Sequence, residues 1–149
     1  MNTNDETSIF SQTDLISSYS RAQAIADGIL VEAGPMAQEA GWKIPVALTA
    51  VAWTDCVEWT EGDSKRKHCG QDEAGRLWDV LWMGMIAAKR HMARCEAQPD
   101  ADPSRCRMMV YRVPRKGRGI VPRLTELKII IDGGDDGLPV ATILLPDED

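Results

Sequence analysis

The chain has 149 residues, 17 Lys and Arg against 23 Asp and Glu, a net charge of −6 and 44% hydrophobic residues. That length suits one domain with a real core, and the composition excludes a disulfide-stapled miniprotein, a collagen-like repeat and a wholly disordered acidic chain. The charge is segregated: residues 1–64 carry −8, residues 65–128 carry +8 and residues 129–149 carry −6.

Residues 1–14 read as a polar, flexible leader, and residues 15–149 as a single domain. The leader has neither the positive start nor the apolar centre of a signal peptide. No run approaches the roughly 18 apolar residues of a bilayer span. Four cysteines without an export signal read as free thiols. A cytoplasmic protein that stays off the membrane is therefore expected.

Ser20 with Gln23 forms a capping-box pattern that opens a short helix, stopped by Gly28. Ile29-Leu30-Val31 suits a short buried strand or an extended link. Pro35 just inside and Gly41 just past the end frame a second short helix, Pro35–Ala40. Thr49 is placed to cap a third helix carrying Ala50, Val51, Trp53 and Val57, although Val51, Trp53 and Val57 also fit a strand's alternation. The charged, Gly-containing stretch Thr60–Gln71 reads as an exposed loop.

Asp72 to about Cys95 is the strongest element. Leu77, Leu81, Met85 and Met92 fall near one helical face, widened by Trp78, Trp82 and Ile86. Asp72 and Glu73 at its start, and Lys89, Arg90 and Arg94 near its end, complement the helix dipole. Gly75 and Gly84 lower its intrinsic propensity, so packing must hold it. After the polar break Gln98–Ser104, the runs Met108–Val113, Leu124–Ile131 and Pro139–Leu145 read as strands, the last two joined by a tight turn at Gly133–Gly137. Together these predict an α+β fold: N-terminal short helices and one long amphipathic helix packed on a C-terminal three-stranded antiparallel meander.

The hairpin Arg105–Arg123 holds Arg105, Arg107, Arg112, Arg115, Lys116, Arg118 and Arg123 without one acidic residue. Arg forks suit phosphate oxygens, and Gly117 and Gly119 let the main chain approach, so Arg112, Arg115, Lys116, Arg118 and Arg123 are candidate anion or nucleic-acid contacts. The competing reading is a solvated hairpin whose charges offset the acidic ends. The cysteine intervals match no zinc ribbon or finger, and Asp132, Asp136 and Gly137 mimic a calcium loop that lacks its bidentate carboxylate. No metal or cofactor is expected. Arg21, Asp55, Arg76 and Asp79 form a candidate polar pocket if an enzyme is encoded. Five tryptophans read as core, or in part as a partner-binding surface with Met83, Met85 and Met92.

Several segments carry a family resemblance: Tyr19-Ser20-Arg21-Ala22-Gln23-Ala24-Ile25-Ala26-Asp27-Gly28, then Pro45-Val46-Ala47-Leu48-Thr49, Trp53 and Asp55-Cys56-Val57. It continues through Gly70-Gln71-Asp72-Glu73-Ala74-Gly75-Arg76-Leu77-Trp78-Asp79-Val80-Leu81, then Gly134-Asp135-Asp136-Gly137 and the terminal Leu145-Pro146-Asp147-Glu148-Asp149. The chain thereby resembles an uncharacterised family of small bacterial proteins carried by plasmids, phages and other mobile elements. The resemblance implies that setting and no particular chemistry.

Three functions follow as expectations. The first is a non-enzymatic accessory protein of a mobile element that binds a host or element-encoded macromolecule, with a protein partner expected and interference in host defence as one version. The second is a nucleic-acid-binding module using the hairpin 105–123. The third is an uncharacterised enzyme built on the polar pocket.

Overall fold

The computed structural model describes residues 19–148. The leader 1–14 and the expected onset of order at residue 15 lie outside the described residues. In chain order the elements are α1 (Arg21–Ala26), β1 (Leu30–Glu32), α2 (Pro35–Glu39), β2 (Val46–Thr49), α3 (Ala50–Cys56) and α4 (Glu61–Lys67). They continue with α5 (Glu73–Ala97), β3 (Arg105–Arg112), β4 (Arg123–Gly133) and β5 (Pro139–Leu144).

Local chemistry sets most of the boundaries. The Ser20 hydroxyl accepts from the Gln23 amide at 3.0 Å and the Thr49 hydroxyl from the Ala52 amide at 3.1 Å, so each satisfies a donor the first turn leaves over. Pro35 occupies the first turn of α2, and Gly41 follows it with φ of +107°, a conformation side chains disfavour. Asp72 caps α5 through the Gly75 amide at 2.5 Å.

The α+β class holds, but the three-stranded meander is part of a larger mixed sheet. Five strands lie in the order β1-β2-β5-β4-β3, with β2 parallel to β5 and the other pairs antiparallel. Of the two added strands, β1 lies at the edge and β2 inside the sheet; β2 is four residues long, and Val46, Ala47 and Leu48 are all buried. A strand covered on both faces shows no alternation, and its sequence is indistinguishable from a lead-in to α3.

Helix α5 lays Leu77, Val80, Leu81 and Met85 against a core that includes Met108, Leu127 and Ile129 of the sheet. Gly84 faces the same way: a Cβ there would meet Met108 Sδ and Trp42 Cζ2, both at 3.3 Å. The glycine that weakens the helix is thus what lets it approach β3. Trp42 is fixed by donating Nε1–H to the Leu81 carbonyl at 2.9 Å. The inward stripe differs from the one expected, because Trp78, Trp82 and Met92 stand outside it and are exposed.

The turn between β4 and β5 has a structural task. Asp135 accepts from the Arg21 and Ala22 amides at 2.8 and 3.0 Å, capping α1 from the far end of the chain. Those amides hold its carboxyl below the usual range.

Candidate functional site

The expected loop Thr60–Gln71 contains α4, and this helix seats the basic hairpin. Thr60 and Asp63 form a reciprocal capping box: Asp63 N–H donates to the Thr60 hydroxyl at 3.1 Å, and Thr60 N–H to Asp63 Oδ2 at 2.9 Å. His68 closes the helix in a left-handed conformation. At the last position before that cap, Lys67 is buried and points its ammonium at the link between β3 and β4. It donates to the carbonyls of Pro114, Gly119 (2.5 Å) and, at the limit, Lys116 (3.4 Å). Burial first, and then the neighbouring Arg66 charge, lowers its pKa. One lysine therefore gathers the hairpin tip around a central cation.

Two of the hairpin's six arginines, Arg112 and Arg115, are committed to the same junction. Arg115 donates to Asp63 Oδ2 at 3.0 Å and to Glu58 Oε2 at 2.7 Å. Arg66 donates to Asp63 Oδ1 at 3.2 Å and to the Arg115 carbonyl. The Thr60 amide, acting against the cost of burial and helped by Arg115, pulls the Asp63 carboxyl down to about 2. Arg112 pairs with Asp55 Oδ2 at 2.9 Å. Among the described residues, Lys116, Arg118 and Arg123 make no ion pair and stand exposed.

Arg76 of α5 lies behind this junction and is buried. Its Nε–H donates to the Val57 carbonyl at 3.1 Å and an η-nitrogen to the Val113 carbonyl at 2.9 Å, while the guanidinium sits 4.9 Å from the centre of the Trp59 ring. Burial lowers its pKa. Asp79 lines a shallow crevice beside it, and partial burial raises that carboxyl.

The four-residue polar pocket is therefore not assembled. Asp55, Arg76 and Asp79 share one end of the molecule. Arg21 instead donates to Thr142 Oγ1 at 2.7 Å and to the Ala141 carbonyl at 2.8 Å, beside the β4–β5 turn. Arg76 uses its two best hydrogen bonds on main-chain carbonyls, which is a structural duty. Cys56 and Cys106 are buried, Cys69 and Cys95 half-buried, and among the described residues no three His, Cys, Asp or Glu side chains gather as metal ligands. Burial pushes the Cys56 thiol up to about 11.

Sequence reasoning missed Lys67 and Asp63. Thr60 and Asp63 carry the spacing of a capping box, but no apolar stripe follows them.

Trp78 and Trp82 do form a surface feature. Their rings stack at 5.9 Å between centroids on the outer side of α5, 37% and 42% exposed. On the sheet, Met109, Tyr111 and Leu124 are exposed as well.

The chain belongs to a family of unknown function, DUF6573, whose model matches residues 6–149. Searches of curated proteins and of solved structures gave no match. No helix among the described residues is long and apolar enough to cross a membrane.

Proposed function

We propose that the chain is a non-enzymatic accessory protein of a mobile element, such as a plasmid or phage, that acts in the cytoplasm by binding a host or element-encoded protein. The observation that carries this reading is the stacked Trp78–Trp82 pair, held exposed on a 25-residue helix. Large aromatic side chains concentrate at the centres of protein interfaces, and a rigid helix presents them without an ordering cost. Blocking a basic, nucleic-acid-holding surface of a host defence protein with the acidic ends of the chain is one concrete form. Capture from bacterial lysate, run in parallel with wild type and with Trp78→Ser/Trp82→Ser, tests it. A partner retained by wild type and lost by the double variant supports the reading. Equal capture by both, or none by either, overturns it.

A second reading, nucleic-acid binding, is favoured by Lys116, Arg118 and Arg123, the cations around the hairpin tip left unpaired by described residues. Replacing all three with Ala should flatten the salt dependence of binding by about 0.9 in logarithmic slope for each phosphate that is no longer neutralised. Absence of any gel retardation by wild type at low salt ends that reading.

A further inference from the structure

Strand β3 is an edge of the sheet and runs for eight residues, whereas β1 at the other edge has three. Which of its backbone groups face outward follows from one bond. Ile131 N–H donates to the Ser104 carbonyl at 2.8 Å, so these two form a hydrogen-bonded pair in register with the β3–β4 ladder. Antiparallel ladders alternate such pairs with unbonded ones. The main-chain N–H and C=O of Arg105, Arg107, Met109 and Tyr111 therefore point away from β4. In agreement, the Arg107 carbonyl accepts from the Cys106 thiol at 3.3 Å. Among the described residues no strand pairs with this edge.

Helix α5 runs alongside. Two depressions, of about 370 and 240 Å³, succeed one another between the helix and β3, the first against Cys106–Met109 and the second against Val110–Val113. They leave a crevice along the strand. Charge divides its length. Arg90 and Arg94 of the helix line one end of it, on the side of the sheet where Cys106 and Met108 are buried, while Arg105 and Arg107 project at the same end from the opposite, open face, with Glu126 as the carboxylate that pairs with Arg107. Further along, Met109 and Tyr111 supply apolar contact on the open face and Met83 on the helix side. Edge strands are usually defended with charge against neutral strands and against copies of themselves. A second copy pairing antiparallel about Met108 would set Arg105 beside Tyr111 and Arg107 beside Met109, and would bring no carboxylate to either arginine. An acidic strand brings one to each and gains from each pair.

We propose that the β3 edge and the adjoining flank of α5 accept an extended acidic segment of a partner protein as a sixth strand. Its carboxylates lie against Arg105 and Arg107, and its apolar residues against Met109 and Tyr111. This rests on the reading that the chain binds a protein, and it names the chemistry of the partner. Main-chain pairing supplies affinity and the arginines supply selection.

The test uses the full chain, isotope-labelled, with strand-length synthetic peptides of alternating Val and Thr that carry either glutamates or lysines at one end. Amide exchange at Arg105, Arg107, Met109 and Tyr111 is read by NMR. The glutamate peptide should slow these four amides at least ~10-fold, and the lysine peptide should leave them unchanged. Arg105→Glu with Arg107→Glu should reverse the preference. Met109→Pro removes one outward N–H at a place where an edge strand tolerates proline, so it should keep the native melt and abolish the slowing.

Unchanged exchange with the glutamate peptide overturns the proposal, as does an equal response to the lysine peptide. Slow exchange before any peptide is added also overturns it, since a second copy or this chain's own residues then hold the edge. A lysate partner lost by Trp78→Ser/Trp82→Ser but kept by Met109→Pro overturns strand addition alone. Peptide protection without any lysate partner overturns the functional reading alone.

Discussion

Arg76→Met is the sharpest probe of the junction behind the hairpin. The substitution keeps much of the side-chain volume and removes two donors from the carbonyls of Val57 and Val113, at 3.1 and 2.9 Å, together with the cation over Trp59. A buried acceptor left without its donor costs about 1–3 kcal/mol, and a cation–π contact contributes about 0.5–2 kcal/mol. Against these losses stands the relief of desolvating a guanidinium, which makes some buried charges neutral to replace. Because the partners here are main-chain carbonyls that stay behind, the loss should dominate, with a net destabilisation of about 2–3 kcal/mol. For a domain of this size that corresponds to a fall of roughly 10 °C in Tm. Arg76→Lys, which keeps the charge but not the fork, should lose about half as much. Urea unfolding followed by tryptophan fluorescence, with an unchanged m-value, reads both. If Arg76→Met unfolds within about 0.5 kcal/mol of wild type, the two carbonyl bonds contribute nothing net and the structural role assigned to Arg76 is wrong.

Three further outcomes are expected. Asp63 titrates near 2 in the folded protein against an ordinary 3.8, so its stabilising effect is complete above the ordinary value and is lost as pH falls toward about 2; the stability gap between wild type and Asp63→Asn should therefore close over that window, and a gap constant with pH contradicts the assignment. Burial keeps Cys56 a thiol, and Cys106 is also buried, whereas Cys69 and Cys95 are half-buried. An alkylating reagent at mildly alkaline pH should modify the latter two first and reach the other pair only on unfolding, as peptide mapping would show. Gly84→Val forces a branched side chain against Met108 and Trp42, whose atoms already lie 3.3 Å from a bare Cβ position, and should cost about 2 kcal/mol by denaturant titration. A neutral result would mean that α5 can back away from β3.

Features fixed within a few residues were legible in the sequence. Ser20, Pro35, Thr49 and Asp72 mark helix starts because a cap needs only its own side chain and the next turn. The alternation of β3 shows because one of its faces is buried and the other is open. Helix α4 was illegible for the opposite reason. Its seven residues bury Asp63 and Lys67, and their partners lie about fifty positions away at Pro114, Arg115 and Gly119. A polar segment ordered by distant polar groups has the composition of a loop. The same holds for β2, which pairs in parallel with a strand nearly a hundred residues later. The candidate pocket failed because Arg76 is spent on main-chain carbonyls, Asp55 lines a different depression from Asp79, and Arg21 reaches β5, and nothing local tells which end of a sheet an arginine from a short helix will reach.

The charge blocks gain meaning from these contacts. Asp55, Glu58 and Asp63, from the acidic first block, neutralise Arg112 and Arg115 of the basic middle, so part of the segregation is consumed inside the fold. The basic charge that remains on the hairpin is divided. Lys116, Arg118 and Arg123 stand at the tip, while Arg105 and Arg107 stand at the far end of a ladder eight residues long. At about 3.3 Å per residue these ends are roughly 23 Å apart, well beyond the ~10 Å within which substitutions couple strongly. A bound strand and a bound phosphate backbone would therefore use different cations. Ala at the three tip positions should leave peptide protection of β3 intact, and Glu at Arg105 and Arg107 should spare the tip's phosphate contacts. Loss of both activities from either set would mean that one continuous surface, rather than two, runs along the hairpin.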